Sequence, residues 1–284
     1  MLRSALTPVL TIAVLVGQPA AAQEITNAEE LLDQLETADG DLVSLTARIR
    51  YTRLFALAGD RQVRDGTLSF ATLDADGDGD EERVFAIRFE HLVVGNRVES
   101  ELKDYVFDGS WLVERLPGDK LFSKRQIAPP GSEVDPLKIG EGPLPIPIGQ
   151  KKADILQRFD AELLPAEFWS EADPGLPSPQ LTEFVSADAG TYQLRLLPKA
   201  GTEDATEFTE VRLWYSRDTL LPKLAITTDF DGDESFVQLQ NVRINSEAPV
   251  ETEVFSVEPP PVAEGWDVQI DPWRGRVDGE GGGQ

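Results

Sequence analysis

The 284-residue chain has no cysteine, one histidine and one methionine. Without a thiol there is no disulfide to staple the fold and no residue to carry a thioether-linked lipid. Thiol catalysis, cysteine zinc sites and iron–sulfur clusters are excluded with it. The single histidine, His91, has no second histidine or cysteine near it in a strand-like stretch, so it reads as structural rather than catalytic. Basic residues are scarce: 26 Lys and Arg stand against 51 Asp and Glu, a net charge of −25. Such a surface repels polyphosphates and anionic headgroups, which argues against nucleic-acid binding and against membrane adsorption by charge. No serine–histidine–aspartate elbow, metal-ligand spacing or phosphate loop occurs, so the chain reads as a binding protein without cofactor or metal, not an enzyme.

Long apolar runs are missing too. The N-terminal one, Ala5 to Gly17, falls short of the roughly 20 residues of a spanning helix. It follows Met1-Leu2-Arg3 and precedes Ala20-Ala21-Ala22-Gln23, the layout of a secretory signal peptide with cleavage expected after Ala22. The expected mature protein is soluble and periplasmic. Residues 23–273 read as one domain, and the glycine-rich end, 274–284, reads as a disordered tail.

What the sequence does have is strands. Tyr192, Leu194 and Leu196 alternate with polar neighbours; Thr209, Val211, Leu213 and Tyr215 repeat the period; Leu224, Ile226 and Phe230 share a side. Each run has one face to bury. Their short links, Asp218-Thr219 and Asp231-Gly232-Asp233, leave no room for crossover helices, so the runs are antiparallel neighbours. In the fourth run the apolar phase slips from Val237 and Leu239 to Val242 and Ile244, which predicts a bulge and a curved sheet. Upstream, Thr26-Asn27-Ala28-Glu29 predicts a capping box with Thr26 as the cap, opening a helix to about Thr37 with Leu31, Leu32 and Leu35 on one stripe. Leu42 to Leu57 reads as a strand interrupted by Arg48, Arg50 and Arg53, a solvated face.

Gly66–Leu73 and Val84–Val94 make a further pair joined by Asp74 to Glu82. Asp74, Asp76, Asp78 and Gly79 fit the first half of a calcium loop. The twelfth position is Phe85 rather than a bidentate Glu, so an acidic hairpin tip with at most weak calcium binding is expected. Tyr105 to Val113 is an Asp108-Gly109 hairpin. Pro117-Gly118-Asp119 turns into Leu121–Ile127. Ala128 to Gln150 has no periodicity yet an apolar centre, Pro143-Leu144-Pro145-Ile146-Pro147-Ile148, which in a soluble protein has to lie on something. Lys151 to Phe159 reads as a short helix, and Leu163 to Leu181 as a proline-rich connector.

These features, in this order, resemble the LolA-type periplasmic lipoprotein carriers and their relatives. The likeness is carried by the N-terminal helix, Tyr105-Val106-Phe107-Asp108-Gly109 with Trp111 and Pro117, and the apolar link with its short helix. It continues through Leu197-Pro198-Lys199, Val211 to Phe230, Val242-Arg243-Ile244-Asn245, Phe255 to Pro260 and Gly265-Trp266-Asp267-Val268. The resemblance implies a mainly β fold: a curved, unclosed antiparallel barrel with short helices and the proline-rich segment as a lid over an apolar cavity for lipoprotein acyl chains or related lipid. It implies inner-membrane donor and outer-membrane acceptor partners, and a monomer is expected. Candidate cavity-lining residues are Phe89, Tyr105, Phe107, Trp111, Leu194, Leu196, Leu213, Tyr215, Ile226 and Phe230; each reads equally well as core packing. A sensory or scaffold protein on the same fold, recognising a protein partner without moving lipid, is the alternative.

Overall fold

The computed structural model describes residues 24–73, 82–127, 137, 139, 144–146, 148–246 and 250–273. The expected signal peptide, the acidic link 74–81 and the expected tail 274–284 lie outside the described residues.

Helix α1 (Ala28–Gly40) buries Leu31, Leu32 and Leu35 on one stripe, as the periodicity requires. Its cap is one residue later than expected. Asn27 is the N-cap and accepts from the Glu30 backbone N–H at 2.9 Å, while the Glu30 carboxylate accepts from the N–H and hydroxyl of Thr26, each at 2.9 Å. Asn caps as well as Thr, and the acid three residues on completes either box, so the pattern alone does not fix the phase. These bonds from Thr26 hold the Glu30 carboxyl below the usual carboxylate range.

Twelve strands then form one sheet: β1 (Ser44–Phe55), β2 (Asp60–Leu73), β3 (Glu82–Val94), β4 (Arg97–Phe107), β5 (Trp111–Leu116), β6 (Leu121–Gln126), β7 (Phe159–Leu164), β8 (Thr191–Pro198), β9 (Glu210–Ser216), β10 (Pro222–Thr228), β11 (Glu234–Ile244) and β12 (Asp267–Asp271). Their order is β12-β6-β5-β4-β3-β2-β1-β11-β10-β9-β8-β7, so the sheet does not close and its edges are β12 and β7. All pairings are antiparallel except that of β12, which lies parallel to β6. This is the unclosed, curved sheet with short helices that the resemblance implies.

The bulge read from the phase slip is present. Thr46 pairs with Arg243 and Arg48 with Gln240, so β11 carries an extra residue there, and Asn241 takes φ 53°. Asn tolerates that left-handed backbone better than other non-glycine residues. Further register shifts occur between β2 and β3 at Asp65/Gly66 and between β3 and β4 at Phe89/His91. Bulges bend the strand that carries them, and three on neighbouring strands curl the sheet.

Both faces of the sheet are covered, by different segments. The concave face receives α1, the short helix α2 (Lys152–Arg158) and the described residues of the stretch 137–150, which together with β1–β5 and β7–β11 form the main core. The outer face of β9, β10 and β11 is packed by Leu176, Val185 and their neighbours. These include helix α3 (Pro179–Ser186), capped by Ser178 with Pro179 in its first turn. The expected connector 163–181 is therefore partly strand and partly helix. Its serine–proline start was a usable signal that the prolines around it obscured. The outer face of β2–β6 carries Phe255 and Val257 over Val84, Val106, Val113 and Phe122.

Candidate functional site: the concave face of the sheet

Strand alternation puts Ile49, Leu68, Phe85, Ile87, Phe89, Phe107, Leu194, Leu196, Val211, Leu213 and Leu239 on the concave side, all nearly or wholly removed from solvent. Of the expected lining residues, Phe89, Phe107, Leu194, Leu196, Leu213 and Tyr215 meet in this one cluster, and Tyr105 packs half-buried against it. Burial pushes the phenols of Tyr215 and Tyr105 upward, so both stay neutral at physiological pH. Trp111 is half-buried at the start of β5, with the Lys124 ammonium 4.9 Å from its ring centroid.

Three expected residues belong elsewhere. Trp111 shares its strand face with Val113 and Lys124 on the outer side, while Leu112 between them faces the main core. Ile226 packs on the outer face with Trp214, Leu224 and Phe236. Ala225 stands opposite Leu213, so it and not Ile226 faces the main core, and Leu224 and Ile226 share the outer face by alternation. Phe230 lies in the turn between β10 and β11 and is 62% exposed, beyond the strand whose alternation suggested it.

The concavity is filled. Leu137, Ile139, Leu144, Ile146 and Ile148 are buried against the sheet, with Ile155 of α2 beside them. The described residues of that stretch are in neither helix nor strand, and some of their hydrogen bonds are local. Ile146 N–H donates to the Leu144 carbonyl and Ile148 N–H to the Ile146 carbonyl, each at 2.9 Å. Gln150, itself buried, donates to the carbonyls of Leu137 (3.3 Å) and Ile148 (3.2 Å). Arg158 donates to the Ile139 carbonyl and pairs with the buried Asp204.

The outer irregular segment is held differently. The Gln193 amide donates to the carbonyls of Pro165, Ala166 and Phe168, the Trp214 indole to Ala166 at 2.7 Å, and Arg212 to Phe168 at 3.2 Å. Side chains of the sheet itself satisfy that backbone, so it is a fixture. Over the concave face the apolar side chains carry the attachment, and their contacts are non-directional.

A charged tie also joins the cover to the sheet. Arg83 of β3 forms a two-pronged ion pair with Asp39 at the end of α1, at 2.8 and 3.2 Å. Gly149 sits directly on the guanidinium; a Cβ there would lie 2.4 Å from it, and its φ of 77° favours glycine besides. Arg83 thus joins helix, sheet and covering segment at one point. The sequence reading passed it over, because a lone arginine at a strand start carries no local signal. Beside it a recess of about 90 Å³ opens between Leu35, Leu42, Ile148, Tyr215 and Leu221. That is small against the roughly 300–1,000 Å³ of ordinary ligand sites.

Among the described residues no group of three or more His, Asp or Glu side chains is placed to hold a metal. Nor, among them, is any helix long and apolar enough to cross a membrane.

No protein-family model matches the chain, and no curated protein is similar in sequence. Several solved structures are similar in fold. A putative outer membrane lipoprotein-sorting protein domain from Vibrio parahaemolyticus is 11% identical, covering 80% of this chain and 95% of its own, with a TM-score of 0.36. A LolA superfamily protein from Nitrosomonas europaea is 10% identical over 82% of this chain and 98% of its own, with a TM-score of 0.28. MucB in complex with MucA, from Pseudomonas aeruginosa, is 16% identical over 80% of this chain and 60% of that one, with a TM-score of 0.37.

Proposed function

We propose that the protein binds acyl chains of lipids against the concave face of its sheet, exchanging them for the apolar side chains at 137–148, and carries them through the periplasm between membranes. One observation carries this reading: the five aliphatic side chains of Leu137, Ile139, Leu144, Ile146 and Ile148 occupy an open sheet's interior much as a hydrocarbon chain would.

The energetics suit exchange. Burying one methylene contributes about 0.8 kcal/mol, so a sixteen-carbon chain gains on the order of 11 kcal/mol gross. Re-exposing five Leu and Ile side chains at about 1.5–3 kcal/mol each costs a similar amount. The two terms are of one order, so acyl chain and covering side chains compete for the same face and the net affinity lies far below the gross gain. Donor and acceptor proteins at the two membranes belong to the same proposal.

The test is protein purified without detergent from a bacterial periplasm, extracted with organic solvent and examined by mass spectrometry, together with titration of a fluorescent fatty acid. Copurifying acyl lipid and saturable, one-to-one probe binding are expected. Lipid-free protein that also binds no probe would leave a lipid-independent scaffold as the reading of this fold.

A further inference from the structure

The outer face has a bare strip between its two covers. Its floor is the outward side of β11, β1 and β2. One wall is the packing around Leu54 and Phe236, and the other is formed by Val250 and Val254. In a chain with half as many basic as acidic residues, this floor presents Arg243, Arg48 and Arg50 in a row, with His91 beside them. Arg48, Arg50, Asp65, His91 and Gln240 line one recess of about 280 Å³, which continues toward Thr46, Ser69 and Arg243.

Of these cations only Arg50 is committed, to Asp65 at 2.8 Å. Among the described residues Arg48, Arg243 and His91 have no side-chain hydrogen bond or ion pair. Among the described lining residues Glu251, at the far end near Arg243, is the other carboxylate.

The bulges set the spacing. Arg243 lies opposite Thr46, so cationic groups stand beside or at positions 46, 48 and 50 of β1, in steps of two residues. Alternate residues of an extended chain are about 6.7 Å apart, and an extended ligand lying along β1 has the same repeat. We propose that this strip is a docking groove for an extended acidic peptide of a partner protein, with carboxylates at alternate positions meeting Arg243 and Arg48 while Arg50 stays paired with Asp65. Guanidinium pairs with carboxylate in a two-pronged geometry, and the Gln, Ser and Thr side chains on the floor bond to the ligand backbone. The site is on the opposite side of the sheet from the acyl-binding face and stands independently of it.

His91 is the sole histidine, so its ring signals in an NMR spectrum report this groove without ambiguity. The probe is the capped peptide Glu-Thr-Glu-Thr-Glu, compared with its glutamine counterpart and with inorganic phosphate. Saturable His91 shifts are expected with the glutamate peptide alone, weakening about fivefold in Arg48→Gln and again in Arg243→Gln. Circular dichroism checks that these exposed variants remain folded. Absence of shifts, equal shifts with the glutamine peptide, equal shifts with phosphate, or unchanged affinity in folded variants would each overturn the proposal.

Discussion

At the scale of single residues, two positions show what the fold tolerates for the sake of its layout. Glu234, at the start of β11, is half-buried, and loss of solvent raises its pKa; nearby Glu210 adds to this and Arg212 opposes it. A carboxyl with a raised folded-state pKa favours the folded state only in acid, below the unfolded value of about 4.3, and that contribution is lost as pH rises through the folded pKa. At neutral pH its charge therefore costs stability. Glu234→Gln is expected to raise the melting temperature by about 2 °C at pH 7 and to bring no gain below about pH 4, as read by thermal melts across pH. Gly149 has the opposite character. Its left-handed backbone and its contact with Arg83 leave no room for a side chain. Gly149→Ala is expected to cost about 1–3 kcal/mol in a denaturant titration, through backbone strain and through the displaced guanidinium. A cost near zero would mean that the covering segment shifts freely at this point.

At the scale of elements, the two irregular covers differ in how they are fastened, and that difference is testable. The outer one takes its hydrogen bonds from Gln193, Trp214 and Arg212 of the sheet. The inner one leans on Gln150 and Arg158. Gln150→Leu keeps the packing and removes two bonds, at an expected cost of about 1–2 kcal/mol. Hydrogen exchange at the Ile146 and Ile148 amides is then expected to accelerate about tenfold, while β8 and β9 keep their protection. Uniform acceleration would show that cover and sheet open as one unit. Most strands were legible in the sequence, because alternation and turn chemistry are local; so was the β11 bulge, whose phase slip stands in the residues themselves. Less legible was whatever depends on contacts between distant segments. The β7 edge strand is defined by its β8 partner. Which face of β10 turns to the core is set by the pairing of Ala225 with Leu213, and Arg83 matters only because Asp39 and Gly149 arrive beside it. The lining residues on β3, β4, β8 and β9 followed from alternation, whereas nothing local told that their cavity is filled.

At the scale of the whole molecule, an open sheet with no closing strand needs both faces covered; Gln193, Trp214 and Arg212 of the sheet tie down the outer irregular segment, and Arg83 of β3 ties the inner cover through Asp39. On the proposed reading, a hydrocarbon chain replaces the side chains that cover the concave face. The protein has no cysteine, so that exchange is directly measurable. Ile146 is fully buried in the filled concavity. In an Ile146→Cys variant the thiol is the chain's only one, and its reaction with a water-soluble maleimide reports whether the stretch has left the sheet. The account expects slow labelling in the free protein and labelling faster by about tenfold or more once oleate is bound. A rate that stays unchanged, or falls, while oleate binds would contradict it, because the acyl chain would then occupy some place other than the one this segment fills.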